Sequence, residues 1–259
     1  MAFGPDMTLS WTADGPSRGT AVLLHGVMAR AATWWRIGPA LAACGWDTSA
    51  VDLPGHGDAP GLGGPVDLAA FAARTAERLP DRVDLLVGHS LGAVVALALA
   101  GGRPGFARAL VLEDPPGAPD ADRATLALGI EGDGMLVVRD REALVRRERE
   151  ANPTWADEDV VHSVEGIAAA DAPAIAAALR APLDWDLPAL LAAVGPVPVL
   201  VLAASEARGS ALRGDRAAVR DLLPAERFVE FEAGHCVHRD RPDEWLRVVT
   251  AFADEALAE

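Results

Sequence analysis

Lysine and tyrosine are absent from this 259-residue chain, so its basic side chains, histidine aside, are all arginines. Without lysine there is no Schiff base to pyridoxal phosphate and no P-loop lysine. Cysteine is scarce: Cys44 and Cys236 are too few for a disulfide framework. Positive charge is scarce as well. The formal net charge of −15 opposes binding to nucleic acid or to an anionic membrane surface. No apolar run reaches membrane-spanning length without a charge, glycine or proline in it. Met1 to Ser10 lack a basic stretch leading into an apolar one, so no secretory leader is expected and the expected location is cytoplasmic. Neither a CxxC nor an HExxH pattern accompanies His235 and His238, so no metal or cofactor is expected.

What the chain does have is apolar content, 51% of its residues, enough for one large core. Short apolar runs alternate with amphipathic stretches. Strands are expected at Met7 to Thr12, Thr20 to Leu24, Trp46 to Val51, Val83 to Val87, Ala109 to Leu112, Val197 to Ala203 and Arg227 to Phe231. Helices are expected at Thr33 to Ala43 with Thr33 as N-cap, at Leu68 to Leu79 opened by Asp67, at Leu91 to Ala100, at Ser210 to Leu223 and at Asp243 to Leu257. Strand–helix repetition with fully apolar strands predicts an α/β fold, a mostly parallel central sheet with helices on both faces. The alternation breaks once. Ala118 to Val194 carries helical stretches (Arg139 to Glu150, Asp157 to Leu179, Leu183 to Leu191) and no convincing strand. The expected division is a core formed by residues 1–117 and 195–259, and an inserted helical segment at 118–194.

The chemistry points to Gly88-His89-Ser90-Leu91-Gly92, between the Val83 strand and an Ala/Leu-rich helix. A strand that turns at once into a helix holds Ser90 Oγ out at the strand's carboxyl end, above the helix's first N–H groups. A serine hydroxyl needs a base, and the base an orienting acid. His235 follows the last predicted strand at the same edge. Asp114 and Glu206 end two other strands and are the candidate acids. The N–H groups of Leu91 and Val27 are the candidate oxyanion donors. Met28, Trp155 and Trp185 are candidate pocket residues. His25, His56 and His89 are expected to be structural. His162 is expected to be an ordinary contact residue of the insertion.

These motifs together resemble the α/β-hydrolase fold family. Leu24-His25-Gly26 resembles its oxyanion loop, Asp52-Leu53-Pro54-Gly55-His56-Gly57 the loop after the next strand, Gly88 to Gly92 its nucleophile elbow, and Ala233-Gly234-His235 with His238, Arg241 and Pro242 its histidine loop. The resemblance implies that 118–194 is a helical cap. It often places the acid as an aspartate soon after the strand that follows the cap, but Ala207 stands there. Members that take the acid from the strand after the elbow helix have it where Asp114 lies, so Asp114 is preferred and Glu206 is the alternative. Glu113, next to Asp114, is expected to face the other way. Serine at the elbow opposes the carboxylate-nucleophile chemistry of dehalogenases and epoxide hydrolases, and the missing lysine opposes hydroxynitrile lyase chemistry. The implied activity is a cofactor-independent serine hydrolase acting on a small-molecule ester, lactone or thioester. A C–C bond hydrolase or perhydrolase on the same residues is the alternative, and a non-catalytic ligand-binding member is the reading from another class.

Overall fold

The computed structural model describes residues 9–64, 67–117, 123–180 and 185–258. Seven strands form one sheet in the order β1-β3-β2-β4-β5-β6-β7. They are β1 (Leu9–Trp11), β2 (Thr20–Leu24), β3 (Asp47–Val51), β4 (Val83–His89), β5 (Ala107–Glu113), β6 (Val199–Ala203) and β7 (Phe228–Glu230). Only β1 runs antiparallel to its neighbour; all other pairs are parallel. The central strands are apolar and buried on both faces, as a helix-covered parallel sheet requires. The helices of the sheet's N-terminal half are α1 (Ile37–Ala43), α2 (Leu68–Ala76) and α3 (Leu91–Gly102). Helix α3 is buried on nearly every side, which its Ala/Leu composition permits.

Between β5 and β6 lie α4 (Arg123–Arg139), α5 (Arg141–Ala151), α6 (Asp157–Ala169), α7 (Ala172–Arg180) and α8 (Leu187–Ala193). Helices α4 to α7 pack on one another, whereas α8 packs on α3 and so lies with the sheet. After β6 come α9 (Arg216–Asp221), α10 (Val237–Asp240) and α11 (Pro242–Ala256). Two hydrophobic clusters lie on opposite faces of the sheet. One includes Val22, Leu86 and Leu110, the other Leu23, Val87 and Val111, as strand alternation dictates.

Three expected helices differ. The stretch from Thr33 divides into a 3₁₀ turn, Ala31–Trp34, and α1, because the Thr33 hydroxyl donates back to the Arg30 carbonyl at 2.7 Å instead of capping. The stretch from Asp157 divides into α6 and α7. Asp171 accepts from the Ala174 N–H at 3.2 Å to cap α7, and Pro173 sits harmlessly in that helix's first turn. The stretch from Ser210 shortens to a 3₁₀ turn, Arg213–Asp215, and α9, because Ser210 and Ala211 are drawn to Asp114. Asp67 caps α2 as expected, accepting from Ala70 at 2.7 Å. Met7 and Leu183 lie outside the described residues.

Candidate active site

Residue Ser90 has φ 53° and ψ −119°, a conformation that side chains rarely adopt. Close backbone packing imposes it. A Cβ on Gly88 would sit 2.3 Å from the Gly92 carbonyl oxygen, and one on Gly92 would sit 2.4 Å from that of Leu24. The two glycines therefore let β4 turn into α3 and let α3 press against β2. The Ser90 N–H donates to the Glu113 carbonyl at 2.9 Å, which ties the elbow to β5. Among the described residues the Ser90 hydroxyl makes no protein hydrogen bond.

The loop after β2 lies against the elbow: a Cβ on Gly26 would be 3.2 Å from Ser90 Cβ. His25 holds this loop. Its Nδ1–H donates to the Gly26 carbonyl at 2.8 Å, and its Nε2 accepts from the Leu53 N–H at 2.9 Å. Burial pushes its pKa well below the usual histidine value, so the ring is neutral, consistent with that pattern. Asp52 fixes the loop's far end by accepting from the Ala31 N–H at 2.6 Å. Among the described residues, the Val27 and Leu91 N–H groups meet no protein acceptor. Leu91 opens α3, where the helix dipole adds positive potential.

Asp114 follows β5 at φ 41°, a region that Asp tolerates better than most side chains. It is fully buried, and four donors converge on it. Oδ1 accepts from the Ala204 N–H at 3.1 Å and the Ser210 hydroxyl at 2.7 Å. Oδ2 accepts from the Ala211 N–H at 2.8 Å and His235 Nδ1–H at 2.7 Å. Burial raises the carboxyl's pKa, but the bond and charge of His235, with Ala211 and Ser210, outweigh it and hold the group below the usual range. With Nδ1–H directed at Asp114, Nε2 of His235 is left as the basic nitrogen. The backbone of His235 is held in turn by His89 Nε2–H, which donates to its carbonyl at 3.1 Å, the two rings lying 4.7 Å apart.

Glu113 points through the other face of the sheet. It is wholly buried and accepts from the His238 N–H at 3.0 Å, from His238 Nδ1 at 2.7 Å and from Trp245 Nε1 at 2.9 Å. Trp34 stacks on the His238 ring at 4.4 Å. Burial opposes ionisation of Glu113, but the charge and hydrogen bonds of His238 bring its pKa down to about 2. Glu113, the last residue of β5, and Asp114 just after it thus hold two histidines three residues apart, one on each face.

Glu206 is not brought to His235; it is exposed and pairs with Arg216 Nε at 3.1 Å. Ser210 is not singled out in the sequence; a residue drawn from a loop 96 positions away leaves no local pattern. His89 is expected to be structural, and its ring bonds the His235 carbonyl; that partner, and Glu113 as the partner of His238, leave no local pattern in the sequence. Met28 adopts φ 58° and is packed into the core beside Val27. Trp155 lies under the Arg239 guanidinium at 4.4 Å, and Trp185 Nε1 donates to the Pro116 carbonyl at 3.0 Å. Helix α6 crosses the loop after β2 so closely that a Cβ on Gly166 would be 2.9 Å from the Met28 carbonyl oxygen. Burial pushes the Cys236 thiol up to about 12. Among the described residues no cluster of side chains could hold a metal ion, and no helix is long and apolar enough to cross a membrane.

Comparison with known proteins places these features in context. A family model described as the alpha/beta hydrolase family matches residues 21–248. A pimeloyl-[acyl-carrier protein] methyl ester esterase of Neisseria meningitidis is 44% identical over 90 residues, which span 35% of this chain and 28% of that protein. N-formylmaleamate deformylase of Pseudomonas putida is 29% identical over 91% of this chain and 89% of its own length. The structure of MenH from S. aureus superposes with a TM-score of 0.73 at 20% identity, covering 96% of this chain and 98% of that one.

Proposed function

The chain belongs to the α/β-hydrolase family, and from that premise we propose that it is a cofactor-independent serine hydrolase cleaving a small-molecule carboxylic ester. Ser90 Oγ attacks the carbonyl carbon while His235 Nε2 takes its proton. Asp114 holds the imidazole in the productive tautomer and stabilises the imidazolium that forms. The Val27 and Leu91 N–H groups receive the oxyanion, each worth about 10²–10³ in rate. His235 then returns the proton to the leaving alcohol, and water, activated by the same base, clears the acyl-enzyme. Helices α4 to α7 act as the cap, and Met28, Trp155 and Trp185 belong to the walls on the substrate side.

The observation that carries this reading is the four-donor cradle of Asp114, with His235 as one donor, at the strand edge where Ser90 is held strained. A purely structural carboxylate has no need of an imidazole that is itself one-third exposed. The likeness to an esterase and a deformylase, both acting on acyl carbonyls by name, supports the reaction class. The test is labelling by a fluorophosphonate probe together with p-nitrophenyl acetate turnover. Wild type is expected to label and to release p-nitrophenol, and Ser90→Ala to do neither. Labelling that survives Ser90→Ala, or a wild type that does not label, removes the proposal.

A further inference from the structure

Arg239 is the odd charge in this molecule. Acidic residues number 38 against 23 basic ones, yet among the described residues no carboxylate lies within ion-pair distance of this guanidinium. Arg239 is only 5% exposed, and its Nε is buried with no hydrogen-bond partner. Among the described residues it makes no salt bridge or side-chain hydrogen bond at all; its one partner is the Trp155 ring, 4.4 Å from the guanidinium carbon. Burying an unpaired cation is unfavourable, and a chain with so many carboxylates had ready means to neutralise it. The carboxylates of the surrounding elements are engaged elsewhere. Asp240 accepts from the Gly234 N–H and the Thr154 hydroxyl and pairs with Arg208, Glu113 is taken by His238 and Trp245, and Asp159 by Trp35 and the Ala156 N–H. By contrast Arg30, the other arginine near the oxyanion loop, lies 3.9 Å from both Asp58 and Glu165.

The position of this charge matters. Arg239 sits on α10, four residues after His235, and Trp155 belongs to the turn between α5 and α6, so the guanidinium occupies the seam between the histidine loop and the inserted helices. Behind burial, which dominates at each, its charge acts on the rings of His25 and His89 and on the Cys236 thiol. His25 anchors the oxyanion loop, His89 precedes Ser90, and Cys236 follows His235, so the groups that feel this charge surround the reaction centre. The aromatic face of Trp155 covers the planar guanidinium from one side, and among the described residues its N–H edge meets no protein acceptor.

We propose that Arg239 is an anion-binding residue that selects acyl substrates bearing a carboxylate, which its N–H fork receives when the ester carbonyl is at Ser90. The proposal rests on the serine-hydrolase reading above and narrows its substrate class. A planar fork suits a planar carboxylate, and in a site that excludes water such a bond is stronger than on a surface.

The test pairs esters of matched acyl length: monomethyl succinate, glutarate and adipate, each against its neutral dimethyl ester. Wild type is expected to prefer at least one monoester in kcat/KM. In Arg239→Met, which keeps a side chain against Trp155, the monoester-to-diester ratio is expected to fall about 10- to 100-fold, the worth of a charged hydrogen bond. Arg239→Lys is expected to recover part of it. A wild type that prefers every diester, or a ratio unaltered in a folded Arg239→Met, overturns the proposal. Binding gives a second readout: the favoured monoester is expected to raise the melting temperature of Ser90→Ala but not of Ser90→Ala/Arg239→Met, and equal shifts in both overturn it. Turnover that persists in Ser90→Ala overturns the underlying serine reading instead, so the two failures are distinct.

Discussion

Asp114→Asn is the most informative single change, because the substitution keeps the side chain's shape and asparagine tolerates the positive φ of 41° that this position imposes. Its effect is therefore electrostatic. One carboxylate oxygen becomes an NH₂ group, and the four donors around the site force a choice. With the amide oxygen in the Oδ2 place, it still accepts from His235 Nδ1–H and Ala211; Ser210 can turn to accept from the NH₂, and the Ala204 N–H, the longest of the four bonds at 3.1 Å, is left facing it. His235 then keeps its tautomer but loses the negative charge behind its imidazolium. At about 1.5–3 kcal/mol for a charged hydrogen bond, kcat falls about 10- to 10²-fold. With the amide reversed, the NH₂ faces His235 and Ala211, the imidazole takes the wrong tautomer, and the loss approaches about 10⁴. In either arrangement one buried backbone N–H goes unpaired, costing about 1–3 kcal/mol and lowering the melting temperature by several degrees. The assay is kcat for p-nitrophenyl acetate, with thermal melts in parallel and Glu206→Gln as the comparison. Glu206 is 69% exposed at its side chain and, among the described residues, pairs with Arg216 alone, so its loss is expected to leave kcat within twofold. An Asp114→Asn enzyme within about fivefold of wild type, or a Glu206→Gln enzyme equally impaired, refutes the assignment of Asp114 as the acid.

Other consequences follow from the same geometry. The Glu113 carboxyl, brought down to about 2, titrates below its unfolded value, so its stabilisation is fully present above pH ~4.5 and is lost as pH falls toward 2. The shift is worth on the order of 3 kcal/mol, and Glu113→Gln is expected to unfold more easily at pH 7 and to show a shallower loss of stability on acidification, read from urea midpoints between pH 7 and 3. Gly88→Ala forces a Cβ to 2.3 Å from the Gly92 carbonyl oxygen and is expected to cost about 3 kcal/mol or more, with loss of probe labelling in whatever remains folded; near-wild-type stability contradicts the close packing of the elbow. The Cys236 thiol, pushed up to about 12, is expected to resist iodoacetamide at pH 8 in the native protein and to react once unfolded, as mass spectrometry of the peptide can tell.

The sheet and the elbow were legible because local chemistry specifies them. Apolar runs such as Val83 to Val87 have no stable place except between helix-covered faces, and Gly88 and Gly92 mark where backbones meet. Strand alternation also separated Glu113 from Asp114, and the structure finds them on opposite faces. The surroundings of Asp114 were not legible. Ser210 and Ala211 read as the start of a helix, and only their hydrogen bonds to a residue nearly a hundred positions earlier hold them out of one. Glu206 drew attention for a related reason: its position after β6 fits an acid, and nothing local discloses that Arg216 draws it to the surface. The unpaired state of Arg239 was equally hidden, since a lack of partners belongs to the assembled fold alone.

Strands β5 and β6 are neighbours, and the Asp114 N–H closes onto the Leu202 carbonyl at 2.7 Å just where the chain leaves the sheet. Because the two strands are parallel, the chain leaves β5 at one edge of the sheet and re-enters β6 at the other, and α8, packed on α3, makes that return within the sheet's own layer, so that α4 to α7 stand apart from it. A segment anchored in this way behaves as a replaceable cassette. Its length and composition can drift, or be exchanged in the laboratory, while the register that sets Asp114 against His235 is kept by strands that never enter it. Contacts such as Arg239 with Trp155 and Gly166 with the oxyanion loop are then the few joints at which a new cassette has to be fitted to an old engine.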